Sequence, residues 1–185
     1  MSQENVARYP VPPVRLRSRR TPVERVALRF PSLVRLAASG LSRLPSRSRL
    51  RRKLLARGIR DGAEAYNRRD HEAFLFPFDP DVELNILGQG GGLDFENHTR
   101  GREGLMRFLA VIDEAFEDNW LEPREGIDFG DRILGLYNLR ARGKGSGVEV
   151  ERDIGLLSSL DRGRVVRVDY YWSQDEALEA AGLSE

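Results

Sequence analysis

Apolar positions recur at helical spacing up to about residue 75 and alternate along most of the chain after residue 120. Val23, Val26, Ala27 and Phe30 mark a short amphipathic helix whose start is well signalled: Thr21 stands at the N-cap, Pro22 at the first helical position and Glu24 at the third, a capping box. Pro31 ends or kinks it. A second apolar pattern, Leu33, Leu36, Ala37, Leu41 and Leu44, then runs on to Pro45. Residues 46–69 place Leu50, Leu54, Leu55, Ile59, Ala63 and Tyr66 on one face of a long helix. Asp70 caps a shorter one holding Phe74, Leu75 and Phe78, stopped by Pro77 and Asp79-Pro80.

Residues 82–87 set Val82, Leu84 and Ile86 against Glu83 and Asn85, which predicts a half-buried strand. The glycine loop at 88–92 has neither GxGxxG spacing nor a Lys-Ser/Thr helix start, so it carries no phosphate cradle. Residues 101–118 read as a helix with Leu105, Phe108, Leu109, Ile112 and Phe116 on one face. Strands follow at 121–129, 131–142, 148–160 and 164–172, and Pro123 places the start of the first at a sheet edge. Sequential antiparallel strands with helices on one side predict an α+β fold.

Charge divides the same chain differently. Residues 1–60 carry 16 Arg or Lys against two Glu, and residues 61–185 carry 14 against 27 Asp or Glu, so the net charge of +1 conceals a basic arm beside an acidic domain. The expected division is a basic arm over 1–45, partly disordered with one or two short amphipathic helices, and a domain over 46–185. Residues 1–20, Pro- and Arg-rich with little apolar surface, are expected to be mobile. Arg25, Arg29, Arg35 and Arg43 interleave the apolar positions of the two short helices. They fit either a collar packed on the domain or a twin subunit, or an element that meets an acidic surface, membrane or protein. Nucleic acid is disfavoured, because Tyr9 and Phe30 are the arm's only stacking aromatics.

Cysteine is absent, which excludes disulfides and thiolate chemistry, and no apolar run reaches the length of a membrane span. The N-terminus has no uninterrupted apolar stretch of the secretory kind, so a cytoplasmic location is expected. No cofactor and no metal are expected: His71 and His98 lie in different elements without ligand-spaced partners.

Four segments resemble a known family. Ala65-Tyr66-Asn67-Arg68-Arg69-Asp70, Phe78-Asp79-Pro80-Asp81-Val82-Glu83-Leu84, His98-Thr99-Arg100-Gly101-Arg102-Glu103-Gly104 and Glu176-Ala177-Leu178-Glu179-Ala180-Ala181-Gly182-Leu183 are similar to SnoaL-like proteins of the nuclear transport factor 2 and ketosteroid isomerase superfamily, over about residues 50–183. The resemblance implies a cone-shaped, curved antiparallel sheet wrapped around helices, a cystatin-like α+β barrel, with a conical apolar pocket and usually a homodimer. The final strands are apolar on both faces, Val165 and Tyr171 opposite Val166 and Tyr170, and a twofold partner would cover the outer one.

The resemblance also tests for isomerase chemistry, which needs an Asp base and a Tyr/Asp pair donating to an enolate oxygen. Ala63 falls where the Tyr should stand, Ile86 or Asn85 at the base and Gly155 at the second Asp, with Asp153 a short register slip away. Other branches of the superfamily use His/Asp pairs or an Asp-Arg-Asp relay, for which His98 with Asp94, and Glu151-Arg152-Asp153, are the ingredients. On a strand Glu151 and Asp153 share one face and Arg152 takes the other. The expected function is therefore binding of a small, mostly apolar molecule. His98 and Asp153 are the candidate catalytic groups of a cofactor-independent lyase, isomerase or hydrolase, and Asn85, Phe116, Trp120, Tyr137 and Trp172 are the pocket lining. The alternative is a non-catalytic ligand-binding or dimerisation module whose basic arm recruits an acidic partner.

Overall fold

The structure, a computed structural model, describes residues 6–15, 19–88 and 96–183. Seven strands build one open, curved sheet in the order β1 (Ala7–Pro10), β4 (Phe116–Asp128), β5 (Arg132–Gly143), β6 (Glu149–Asp161), β7 (Arg164–Tyr171), β2 (Phe78–Leu87), β3 (His98–Arg100). The helices are α1 (Pro22–Arg29), α2 (Pro31–Ser42), α3 (Arg49–Asn67), α4 (His71–Leu75), α5 (Gly101–Ala115) and α6 (Gln174–Ala180). This is the expected α+β cone with one departure: β2 and β7 pair in parallel, so the sheet is mixed rather than antiparallel throughout.

The inner face of the sheet meets α3 and α5 through Ala63, Leu84, Leu105, Leu121, Tyr137, Ile154 and Val168. The outer face is closed over β4–β6 by α6, whose Ala177 and Ala181 cover Ile127, Leu134, Leu136 and Leu157. Close approach there requires Gly155, since a Cβ at that position would collide with Ala177. The chain thus covers for itself part of the apolar surface from which a twofold partner was expected.

Two local expectations change. Residues 6–15 are not loose: β1 pairs with β4 from Ala7–Asp128 to Pro10–Glu125, Tyr9 and Val11 are buried against α3, and the Val14 and Arg15 amides donate to the carboxylates of Glu122 and Glu64 at 3.2 and 3.1 Å. A short alternating stretch, Ala7-Tyr9-Val11, was enough to extend the sheet although the segment around it is polar and Pro-rich. β1 pairs with β4 only from Asp128 to Glu125, and the Val11 amide donates to the Arg124 carbonyl at 3.1 Å, so Pro123 lies on the stretch of β4 that β1 does not reach, an edge as expected, beside a register shift. The helix expected over 101–118 ends at Ala115, where Phe116 turns extended and pairs with Gly143. Of the 88–92 loop, residues after Gly88 lie outside the described residues.

The two short helices form as expected. The Glu24 amide donates to the Thr21 hydroxyl at 3.2 Å and the Thr21 amide to the Glu24 carboxylate at 2.6 Å. Both lie on the body of the protein. Arg20 grips Asp70 at 2.7 Å through two nitrogens, Arg68 reaches Glu24 at 2.6 Å, and α2 passes so close to Gly163 (φ 77°) that a Cβ there would strike Ala38. Arg51 of α3, buried, ties this end together. It holds buried Asp128 in a bidentate pair at 2.6 and 2.9 Å and donates to the carbonyls of Leu41, Leu44 and Gly130. All five guanidinium donors are thereby used.

Candidate functional site

Between α3, α5 and the inner face lies a cavity of about 550 Å³, within the range of small-molecule sites. Strand alternation decides what lines it. On β5, Ile133, Tyr137, Leu139 and Ala141 point in. On β6, Val150, Arg152, Ile154, Leu156 and Ser158 do, and on the strand leading to α6 Val168, Tyr170 and Trp172 do. α2 closes the end beside the β6–β7 turn with Val34, Ala38 and Leu41, and α3 contributes Leu54, Gly58 and Tyr66. Aromatic rings form two runs in the wall: Tyr66 to Phe74 at 5.8 Å and Phe74 to Phe78 at 5.4 Å in one, Phe108 to Tyr170 at 6.0 Å and Tyr170 to Trp172 at 4.8 Å in the other.

Among the described residues the lining holds no carboxylate and no imidazole. Its polar members include Arg51, Tyr66, Asn119, Tyr137, Arg152, Ser158 and Tyr170. Burial pushes the phenols of Tyr66, Tyr137 and Tyr170 well above their ordinary range, with the charge of Arg152 pulling Tyr170 back only in part, so all three stay protonated donors at neutral pH. Arg152 is exposed at the rim and makes no ion pair among the described residues. The Asn119 side-chain nitrogen, buried in the wall, has no hydrogen-bond partner among the described residues.

Of the five expected lining residues, the structure places Phe116, Tyr137 and Trp172 on the cavity wall and Asn85 and Trp120 away from it. Leu84 takes the inward position of β2, which sends Asn85 outward, and Trp120 likewise faces out, donating to Glu122 at 3.1 Å. His98 is exposed on β3, opposite Asn85. Its Nδ1 is 2.7 Å from Asn85 Oδ1, Asn85 Nδ2 donates to Asp169 at 2.6 Å, and Arg167 holds Asp169 at 2.9 Å. This chain of polar groups runs across the outer face, away from the cavity. Asp94 lies outside the described residues. Asp153 is also on the outer face, accepting from Asn138 at 2.9 Å, with Glu151 on the same side and Arg152 alone turned inward, as strand geometry required. His98 and Asp153 are therefore not brought together, and neither borders the cavity. The polar lining residues that the sequence did not single out for the pocket are Arg152, Asn119 and Tyr66. Arg152 and Tyr66 were legible in principle, since each shares the face of inward apolar neighbours, Ile154 and Ala63.

No family model and no curated protein matches the sequence. Solved structures do. TerC co-crystallised with polyporic acid superposes with a TM-score of 0.57 at 23% identity, over 66% of this chain and 94% of that one. A nuclear transport factor 2-like protein of unknown function from Burkholderia pseudomallei gives 0.58 at 21% identity, over 66% and 93%. A Mycobacterium tuberculosis protein in complex with estradiol-17β-hemisuccinate gives 0.52 at 18%, over 64% and 92%. The chain shares the fold of these solved structures, a nuclear transport factor 2-like one among them, which is the fold that the SnoaL-like resemblance implied. These neighbours match almost end to end while about a third of this chain lies outside the match.

Proposed function

We propose that this protein binds a small, mostly apolar molecule that carries one anionic or hydrogen-bond-accepting end, and that it does so in the cavity between α3, α5 and the sheet. The observation that carries the reading is the lining itself: an aliphatic and aromatic wall around about 550 Å³, with an unpaired guanidinium at Arg152 and an unpartnered amide nitrogen at Asn119. A buried donor without a partner is uncommon in native proteins, and a ligand acceptor would satisfy it. That two structural neighbours were crystallised with polyporic acid and estradiol-17β-hemisuccinate supports a ligand in this fold's cavity. Binding is favoured over proton-transfer catalysis because no described lining group takes up a proton near neutral pH.

Quenching of Trp172 fluorescence, titrated with a panel of apolar carboxylates and their neutral methyl esters, tests the reading. The acids should bind at least tenfold tighter than the esters, Arg152→Leu should erase that preference, and mass spectrometry should recover each ligand unchanged. Equal binding of acid and ester, no binding at all, or steady turnover of a bound compound would each overturn it.

A further inference from the structure

We propose that α1, α2 and the outward side of α3 form a docking surface for an anionic lipid bilayer. The odd element is α2. Outside a strip of positions held by Ser32, Arg35, Ser39 and Ser42 its residues are apolar, yet only part of that apolar surface is covered: Val34, Ala38 and Leu41 turn to the cavity while Leu33 and Leu36, away from it, are 65% and 73% exposed. α1 continues the surface with Val23, Val26 and Phe30, each about half exposed, and α3 adds Leu50 and, where the surface meets the cavity, the partly exposed Leu54.

The charge around these side chains selects the partner. Arg25, Arg29, Arg43, Arg47, Arg49 and Lys53 are exposed and have no acidic partner among the described residues. The only carboxylate in this stretch, Glu24, is already engaged by Thr21 and Arg68. Exposed aliphatics beside unpaired cations match a surface that offers hydrocarbon beneath a layer of negative charge, which is the structure of an anionic leaflet. A second copy seated face to face would set this cationic surface against itself, and single-stranded nucleic acid would find one aromatic, Phe30, for stacking. No described helix is long and apolar enough to cross a membrane, so the contact is peripheral. If the cavity reading above holds, α2 lies between the bilayer and the cavity, and an apolar ligand dissolved in lipid reaches its site beside α2 without crossing water.

Flotation of the full chain with vesicles tests the docking independently of any cavity ligand. The protein should float with phosphatidylcholine–phosphatidylglycerol vesicles and not with phosphatidylcholine alone, and raised salt should release it. Each surface cation removed should lower partitioning about fivefold, so Arg25→Gln/Arg29→Gln should lose more than tenfold. Leu33→Ser/Leu36→Ser should lose a similar amount with melting unchanged. Because a helix variant can unfold locally, amide exchange of the unaltered chain provides a second readout: residues 22–42 should become protected when the mixed vesicles are added. Absence of flotation, flotation without protection of 22–42, or flotation that survives both variants overturns the proposal. So does a dimer in solution that Leu33→Ser/Leu36→Ser dissociates, which would give the surface to a second copy.

Discussion

Among the described residues two arginines touch the cavity, one beside the end of β4 and the other level with its middle. Arg51, beside Asp128, is buried and has an acceptor for every donor. Arg152, two strands across from Leu121, is exposed and has no ion partner among the described residues. The same side chain thus serves two purposes. Fully paired, it fastens α2, α3 and the β4–β5 turn into one unit. Unpaired at the rim, it is free, on the function proposed above, to meet an anionic ligand. Pairing, rather than residue type or position on the cavity wall, is what distinguishes the two cations.

The sharpest way to break the comparison is Arg51→Met. Removing one member of a buried pair leaves Asp128 charged and uncompensated, so denaturant unfolding should show a loss of about 3–5 kcal/mol. Arg51→Met/Asp128→Leu should recover much of it, because well-packed apolar replacements of buried pairs are often tolerated. If the single variant loses under 1 kcal/mol, Arg51 is not the fastening described here.

A second large effect belongs to the edge of the same region. Tyr9 is buried between β4 and α3, and Tyr9→Ala should cost about 3 kcal/mol in denaturant unfolding by leaving a cavity. This reverses, for residues 6–15, the sequence-based expectation of a mobile segment. That expectation weighed the composition of the whole segment, whereas four residues of alternating burial settle the outcome. An unchanged midpoint for Tyr9→Ala would restore the mobile arm.

The anchoring of α1 has a pH dependence. Hydrogen bonds from Arg20, and secondarily from the Ala73 amide and Arg68, outweigh burial and hold Asp70 at about 2, below its ordinary 3.8. A depressed carboxyl contributes stability that is complete above the unfolded value and fades as pH falls toward the folded one. Asp70→Asn should therefore lower the melting temperature by about 2–3 °C at pH 6, a modest effect because the pair is partly exposed, and by nothing near pH 2. A difference that persists at pH 2 would place the effect in packing rather than charge.

The cone itself was legible because its signals are periodic: alternation in β2 and β4–β7, helical spacing in α3 and α5, and a capping box before α1. The catalytic candidates were less legible. His98 and Asp153 are the residue types chemistry favours, but alternation fixes which face a side chain takes, and a single residue's phase in β2 or β6 moves it from the cavity to the outside. Applied to Glu151-Arg152-Asp153, that rule separated the three correctly. The same rule applied to Val82-Leu84-Ile86 places Asn85 outside the cavity, against its expected place in the lining. Pairing across chain distance, as between Arg51 and Asp128, leaves no periodic trace at all.

The smallest expected change in stability is the most informative about function. Arg152 is exposed and unpaired, so Arg152→Leu should alter stability by less than about 1 kcal/mol while weakening binding of an anionic apolar ligand at least tenfold, as a lost charge-assisted contact would. His98→Ala is its counterpart. His98 is equally exposed, but its contacts run through Asn85 and Asp169 along the outer face, so its removal should leave both stability and affinity nearly unchanged. Isothermal titration of the two variants against one ligand separates them. Loss of affinity in His98→Ala with none in Arg152→Leu would move the site to the outer face and take the recognition role away from the rim of the cone.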